Sequence, residues 1–356
     1  MESPADGEAV NVEDVEFHIA RAANAPQTGH FFVNDRGQNL HVRSFLPTPG
    51  LFSQQCEAVV FFLHGYTGHM GRPDKMNFGD IIGKQNVACL SYDQVGHGYS
   101  DGLRALLATP EEYVRDIILF IRLVLGKEDQ NSTDLGIPPK MLRSFQNIPF
   151  YLMGESMGGG LAILASLRIQ EQFKDGEAAN DFSTYAGTIL VAPAIVGNPP
   201  PAPVVWLLEK TLVKWCPEAC IPDFLETVHL PELIWTEEES RLRVLSDHID
   251  NGGLSWGKNM RYQSGFNLIK LTSELQSRLS EIEFPFLIIH DEADQIVLFD
   301  GSKRMKEESQ TKEEDKTLQV LQGSAHDLVC NVPSAVVEHA MSFIRSRSSK
   351  QPFITK

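Results

Sequence analysis

Ser156 closes a short apolar run in Gly154-Glu155-Ser156-Met157-Gly158, a G-x-S-x-G pattern between a strand signal and a helix signal. A turn that sharp strains the serine backbone, and side chains at the flanking positions would collide with neighbouring elements, so both glycines have a steric reason. A serine hydroxyl is a poor nucleophile until a base takes its proton, and the base needs a third group to fix its tautomer. Downstream, Asp294 follows one apolar run and His326 follows the next. A serine, an acid and a histidine in that chain order, each at a strand end, point to acyl transfer through a covalent intermediate. The pentapeptide alone decides little. At about 7% glycine it would arise by chance in on the order of one chain in ten, so the weight rests on the three positions agreeing.

The elements that must hold these residues alternate. Asn34-Asp35-Arg36-Gly37, flanked by Phe32, Val33, Leu40 and Val42, predicts an opening hairpin over 30–46. Strands are expected at Ala58–Leu63, Val87–Tyr92, the run into Ser156, Gly187–Ala192, Phe284–His290 and Thr317–Leu321, with Ala58–Leu63 and Phe284–His290 read as buried. Between them the pattern predicts a helix over about 77–83 and a polar connection over 127–147. Thr109-Pro110-Glu111-Glu112 reads as a capping box with proline at the first helical position, and Val114, Ile117, Ile118, Ile121 and Leu125 follow on one face. A last helix is expected over Pro333–Arg345. The fold class is therefore α/β, a mostly parallel central sheet covered by helices on both faces.

From Pro199-Pro200-Pro201 to about Thr272 strand signals stop and only amphipathic segments remain, Val204–Trp215 and Glu237–Leu245 among them, which reads as an inserted helical cap. The expected plan is a loose acidic segment over 1–28, a first core part over 29–196, the cap over 197–275, a second core part over 276–348 and a tail over 349–356. Val204–Trp215 is apolar on more than one face and carries one acid, Glu209. Two expectations follow: a helix packed on the core, or a lid whose Trp206, Leu207, Leu208 and Leu212 line an uncharged acyl tunnel and touch a membrane or micelle.

Composition limits the partners. The formal charge of −16 opposes nucleic acid and any general attraction to anionic membranes, so lipid contact must be apolar. The longest clean apolar run is Ala58–Leu63, far short of a membrane span. Five scattered cysteines do not read as a disulfide framework, although Cys216 and Cys220 are near enough in sequence to pair. With no signal peptide read in residues 1–28, a cytoplasmic protein is expected, and the Asn131-Ser132-Thr133 sequon is expected to go unused. His64, His97 and His290 sit at strand ends without a Glu or Cys at ligand spacing, so no metal site is expected.

With these motifs in place, the chain resembles the monoacylglycerol lipase and lysophospholipase group of α/β-hydrolases (serine aminopeptidase S33-like) over roughly residues 28 to 346. His64-Gly65-Tyr66-Thr67-Gly68-His69 is similar to the family's oxyanion loop, Asp93 to Gly102 to its D-x-x-G-H-G-x-S-x-G loop, and Gly154 to Gly159 to its G-x-S-M-G-G elbow. The resemblance implies Ser156 as nucleophile, His326 as base and Asp294 as acid, with the backbone N–H groups of Tyr66 and Met157 binding the oxyanion. The family usually has glycine where this chain has Asp291, so two carboxylates compete for the acid role; Asp294 matches the family position, and Asp291 is expected to face solvent or cap the loop. The implied substrate is a single-chain lipid ester, with lysophospholipids or small and phenolic esters as alternatives, and a ligand-binding, non-hydrolytic member of the fold as the alternative of another class. No cofactor and no protein partner are implied.

Overall fold

Alternation along the strand Ala58–Leu63 shows how the sheet is buried. Val59, Phe61 and Leu63 join one apolar cluster and Ala58, Val60 and Phe62 the other, one on each face. The computed structural model describes residues 29–47, 56–128, 133–175, 181–197, 202–222 and 231–347. The features expected at 1–28, 199–201, 131–132 and 349–356 lie outside the described residues. Among the described residues the strands are β1 (His30–Val33), β2 (Asn39–Phe45), β3 (Ala58–Leu63), β4 (Val87–Tyr92), β5 (Phe150–Glu155), β6 (Tyr185–Val191), β7 (Phe286–Asp291) and β8 (Lys316–Leu321). They form one sheet in the order β1-β2-β4-β3-β5-β6-β7-β8. The opening hairpin and the β2/β4 pair are antiparallel, and every other neighbouring pair is parallel.

Helices close both faces. Pro110–Val124 and Met157–Asp175 supply Ile117, Phe120, Ile121 and Leu161 to the first cluster, while Pro73–Gly83 and Pro333–Arg347 supply Phe78, Ile82, Val336 and Ile344 to the second. The predicted capping box is present: the Thr109 side chain accepts the Glu112 N–H, and the Glu112 carboxylate accepts the Thr109 N–H at 2.9 Å. The chain runs from β3 to its neighbour β4 and then returns to the far side of β3 as β5. This reversal opens a crevice at the carboxyl ends of β3 and β5, where ligands sit in open α/β sheets. The loops His64–His69 and Gly154–Gly158 meet there.

Several elements differ from expectation for local reasons. The helix expected from about 77 begins at Pro73, because a proline at the first position followed by Asp74 is a good helix start even though this turn carries charge rather than apolar residues. The polar connection over 127–147 contains a short helix, Pro139–Phe145, which buries Phe145. Val204–Trp215 is not one helix. It breaks at Thr211 between Ala202–Lys210 and Leu212–Trp215, where the Thr211 hydroxyl donates to the Leu207 carbonyl at 2.6 Å. Tyr262–Arg278 runs across the expected cap border at 275, and its Leu271 and Leu275 enter the first cluster. No disulfide links Cys216 to Cys220. No helix of the described residues is long and apolar enough to cross a membrane.

Candidate active site

β5 delivers Ser156 at φ +50°, in the left-handed region, and the helix Met157–Asp175 begins at the next residue. A non-glycine residue held there costs on the order of 1–3 kcal/mol, so the surroundings must impose it. They do so through hydrogen bonds: the Ser156 N–H donates to Val191 O at 3.0 Å, and the Ser156 carbonyl accepts from Gly160 and Ala194 at 3.1 and 2.9 Å. The flanking glycines are required by contact. A Cβ on Gly154 would lie 2.2 Å from the Gly158 carbonyl oxygen, and one on Gly158 would lie 2.2 Å from that of Leu63.

The loops after β7 and β8 bring Asp294 and His326 to the serine. His326 Nε2 lies 3.0 Å from Ser156 Oγ, and His326 Nδ1 lies 2.6 Å from Asp294 Oδ2. Asp294 Oδ1 accepts the backbone N–H groups of Ile296 and Val297 at 2.8 and 3.1 Å. Burial alone would raise the Asp294 carboxyl, but hydrogen bonds from His290 and His326 outweigh it and hold the group well below the usual carboxylate range. Burial likewise works to lower His326, and the hydrogen bond and charge of Asp294 reverse that, leaving the imidazole above its ordinary value. An ionised Asp294 can only accept, so Nδ1 carries the proton and Nε2 is left to accept from the serine hydroxyl. This is the arrangement a general base needs.

His290, read from the sequence only as a rejected metal ligand, supports the acid. Its Nε2 lies 3.2 Å from Asp294 Oδ2 and its Nδ1 lies 2.7 Å from Ser302 Oγ. The available signal was its place four residues before Asp294 at the end of a strand. Asp291 does not face solvent as expected. It is 1% exposed and ties the acid loop to the base loop, accepting Ala293 N–H at 2.9 Å and Ser324 N–H at 2.5 Å. The expected capping role is the one it has.

Tyr66 and Met157 both line the space beside Ser156. The oxyanion loop passes so close to the nucleophile that a Cβ on Gly65 would stand 3.3 Å from Ser156 Cβ. Met157 opens its helix, and first-turn N–H groups have no partner within the helix. The Tyr66 hydroxyl donates to Ala105 O at 3.1 Å, joining this loop to the one after β4. His64 accepts the Gln94 N–H through Nε2 at 3.0 Å, and burial lowers its pKa to about 4; His97 is likewise buried and lowered. Both are neutral structural groups. Asp74, Asp327 and Cys330 come within metal-binding distance of one another, but Arg72 and Lys75 already pair with these carboxylates.

A cavity of about 410 Å³ opens over Ser156 and His326. Its apolar wall includes Ile234, Val244, Leu245, Trp256, Met260 and Leu268, all between β6 and β7. Trp206, Leu207, Leu208 and Leu212 are not among the lining residues. Leu208 and Leu212 are half-buried, whereas Trp206 is 61% exposed and Trp215 is 78% exposed. The expected uncharged tunnel is also corrected, since Arg72, Glu155 and Asp327 reach the cavity floor as paired ions and Lys258 stands on its wall.

Comparison with known proteins agrees with this architecture. The chain is 25% identical over 301 residues to the monoglyceride lipase of Rattus norvegicus, covering 85% of this chain and 84% of that one. It is 23% identical over 324 residues to the caffeoylshikimate esterase of Arabidopsis thaliana, covering 88% and 83%. A crystal structure of a soluble variant of monoglyceride lipase from Saccharomyces cerevisiae, in complex with a substrate analog, superposes with a TM-score of 0.66 at 17% identity, covering 94% of this chain and 98% of that one. The sequence profile of the family described as serine aminopeptidase, S33, matches residues 54–332. With an eight-stranded, mostly parallel sheet and a serine at its strand-to-helix elbow, the chain belongs to this family of α/β-hydrolases.

Proposed function

We propose that the protein hydrolyses the ester of single-chain acylglycerols through an acyl-enzyme on Ser156. The observation that carries this reading is a Ser156–His326–Asp294 chain at the floor of one apolar-walled cavity. His326 takes the serine proton as Oγ attacks the ester carbonyl and returns it to the leaving glycerol. Water repeats the attack on the acyl-enzyme. Asp294 holds the imidazole, and the Met157 and Tyr66 N–H groups receive the oxyanion, usually the largest single contribution in acyl transfer. The protein is thus a serine carboxylic ester hydrolase. The cavity, at about 410 Å³, falls in the size range of sites that enclose one small ligand, about 300–1,000 Å³, which supports a single-chain ester as substrate.

Each methylene moved from water to the apolar wall is worth about 0.8 kcal/mol. For soluble glycerol monoesters, kcat/KM should rise roughly fourfold per added methylene and then level off once the cavity is full. A series from short to long acyl chains, run beside one hydroxycinnamoyl ester, checks this. Trp235, Trp256 and Tyr66 on the cavity wall favour a second reading, a phenolic-ester esterase. A flat length profile with faster cleavage of the aromatic ester would select that reading.

The exposed Val204, Trp206, Leu207 and Trp215 form the cap surface suited to a membrane or micelle. Trp206→Ser with Trp215→Ser should impair hydrolysis of micellar monoester far more than that of a short soluble one. Equal loss on both substrates contradicts interfacial docking.

A further inference from the structure

Beneath the triad lies a buried set of ions that the mechanism above does not use. Lys75, on the first turn of Pro73–Gly83, is 1% exposed, and its ammonium donates to Glu155 Oε2 at 2.6 Å and to Asp327 Oδ1 at 2.9 Å. Asp327 Oδ2 accepts from Arg72 Nη2 at 2.7 Å and from the Trp235 indole N–H at 3.0 Å. Arg72 also grips both oxygens of Asp74 at 2.7 Å, and Glu155 Oε1 accepts the Gly65 N–H of the oxyanion loop at 3.2 Å. Each bridged carboxylate is the chain neighbour of a reacting residue: Glu155 precedes Ser156 and Asp327 follows His326. The cap joins the same point through backbone bonds, His326 N–H to Leu233 O at 3.3 Å and Asp327 N–H to Ile234 O at 3.1 Å.

We propose that Lys75 and Asp327 are positioning residues, a staple that fixes the nucleophile loop and the base loop relative to each other and ties both to the cap at Trp235. Stability is a poor reason for such a cluster, because desolvating buried ions offsets most of their attraction and apolar replacements are often as stable. Geometry is the better reason. One ammonium spans two loops from distant parts of the chain whose neighbouring side chains must meet at hydrogen-bond distance, and a displacement of about 1 Å at such a site can cost about a hundredfold in rate. The inference rests on the Ser156–His326–Asp294 reading.

The test compares two variants with the wild type on a soluble short ester, measuring kcat, KM, the pH profile of kcat/KM and thermal unfolding. Lys75→Met with Glu155→Gln removes one positive and one negative charge, so no lone buried charge is left. This pair should fold, lose about ten- to a hundredfold in kcat and change KM far less. Asp327→Asn should lower kcat similarly and also move the acid limb. Asp294, Asp327 and Glu155 all face His326 and favour its protonated form. Removing one of them leaves Lys75 and Arg72 less compensated, so the imidazole loses its proton more readily and the limb moves to lower pH. A structural role alone would change the unfolding temperature while leaving kcat per folded molecule and the limb in place. Wild-type kcat in the folded Lys75→Met, Glu155→Gln pair, or an unmoved limb and unchanged kcat in Asp327→Asn, overturns the proposal. Failure of both variants to fold would also overturn it, by making the cluster a scaffold. Ser156→Ala is run alongside: if it keeps activity, the triad reading has failed rather than the staple.

Discussion

Ser156→Ala and His326→Ala should each lower kcat by about a millionfold, and the double variant should be scarcely worse than either. The reason is the 3.0 Å contact between Ser156 Oγ and His326 Nε2. Without the imidazole the hydroxyl keeps its proton, and without the hydroxyl the imidazole has nothing to activate, so removing the second partner takes away nothing more. Residual rates about a thousand- to ten-thousandfold over water are expected from the oxyanion site and substrate binding alone. Steady-state kinetics of the two single variants and the double variant on one soluble ester provide the check. Multiplying losses would mean that the two residues act separately.

Asp294→Asn should cost about ten-thousandfold in kcat, by the wrong imidazole tautomer. The structure indicates which way the new amide would point. Ile296 and Val297 both donate to Oδ1, so the amide oxygen takes that place and the amide NH2 faces His326 and His290. His326 must then accept through Nδ1, which puts its proton on Nε2, toward the serine it should deprotonate. Asp291→Asn has a different consequence. Its two oxygens serve two backbone donors, and the amide can accept only one of them well, so stability falls by about 1–3 kcal/mol while kcat changes little. Kinetics and thermal unfolding of both variants separate the two roles. A reversal of the two effects would move the acid to Asp291.

The legible parts of the sequence are those where local pattern and chemistry coincide. Ser156 could be placed because a strand signal, two glycines and a helix signal meet within one turn, and the steric contacts at Gly154 and Gly158 are the physical content of that pattern. The capping box at Thr109 is equally local. His326 could be placed by chain order, since it follows the last strand, whereas chain order left Asp291 and Asp294 open after the strand before it and only the family resemblance chose Asp294. Asp291 could not be separated from solvent, because its partner Ser324 lies 33 residues away across the sheet. The lining of the cavity was hidden for a similar reason. An apolar residue in a cap helix has the same sequence signature whether it faces a cavity, as Val244 and Leu245 do, or solvent, as Trp206 does. The ion cluster was also invisible, because Lys75 meets Glu155 and Asp327 only after three separate segments fold together.

Covalent capture of the nucleophile tests the central claim most directly. The wild-type protein is treated with a fluorophosphonate, digested, and the modified peptide sequenced by mass spectrometry, with a glycerol monoester present in a parallel sample. A single adduct on Ser156 is predicted, formed more slowly when the monoester competes, absent in Ser156→Ala, and accompanied by complete loss of ester hydrolysis. An adduct on another residue, or ester hydrolysis that persists in the fully modified protein, would contradict the account.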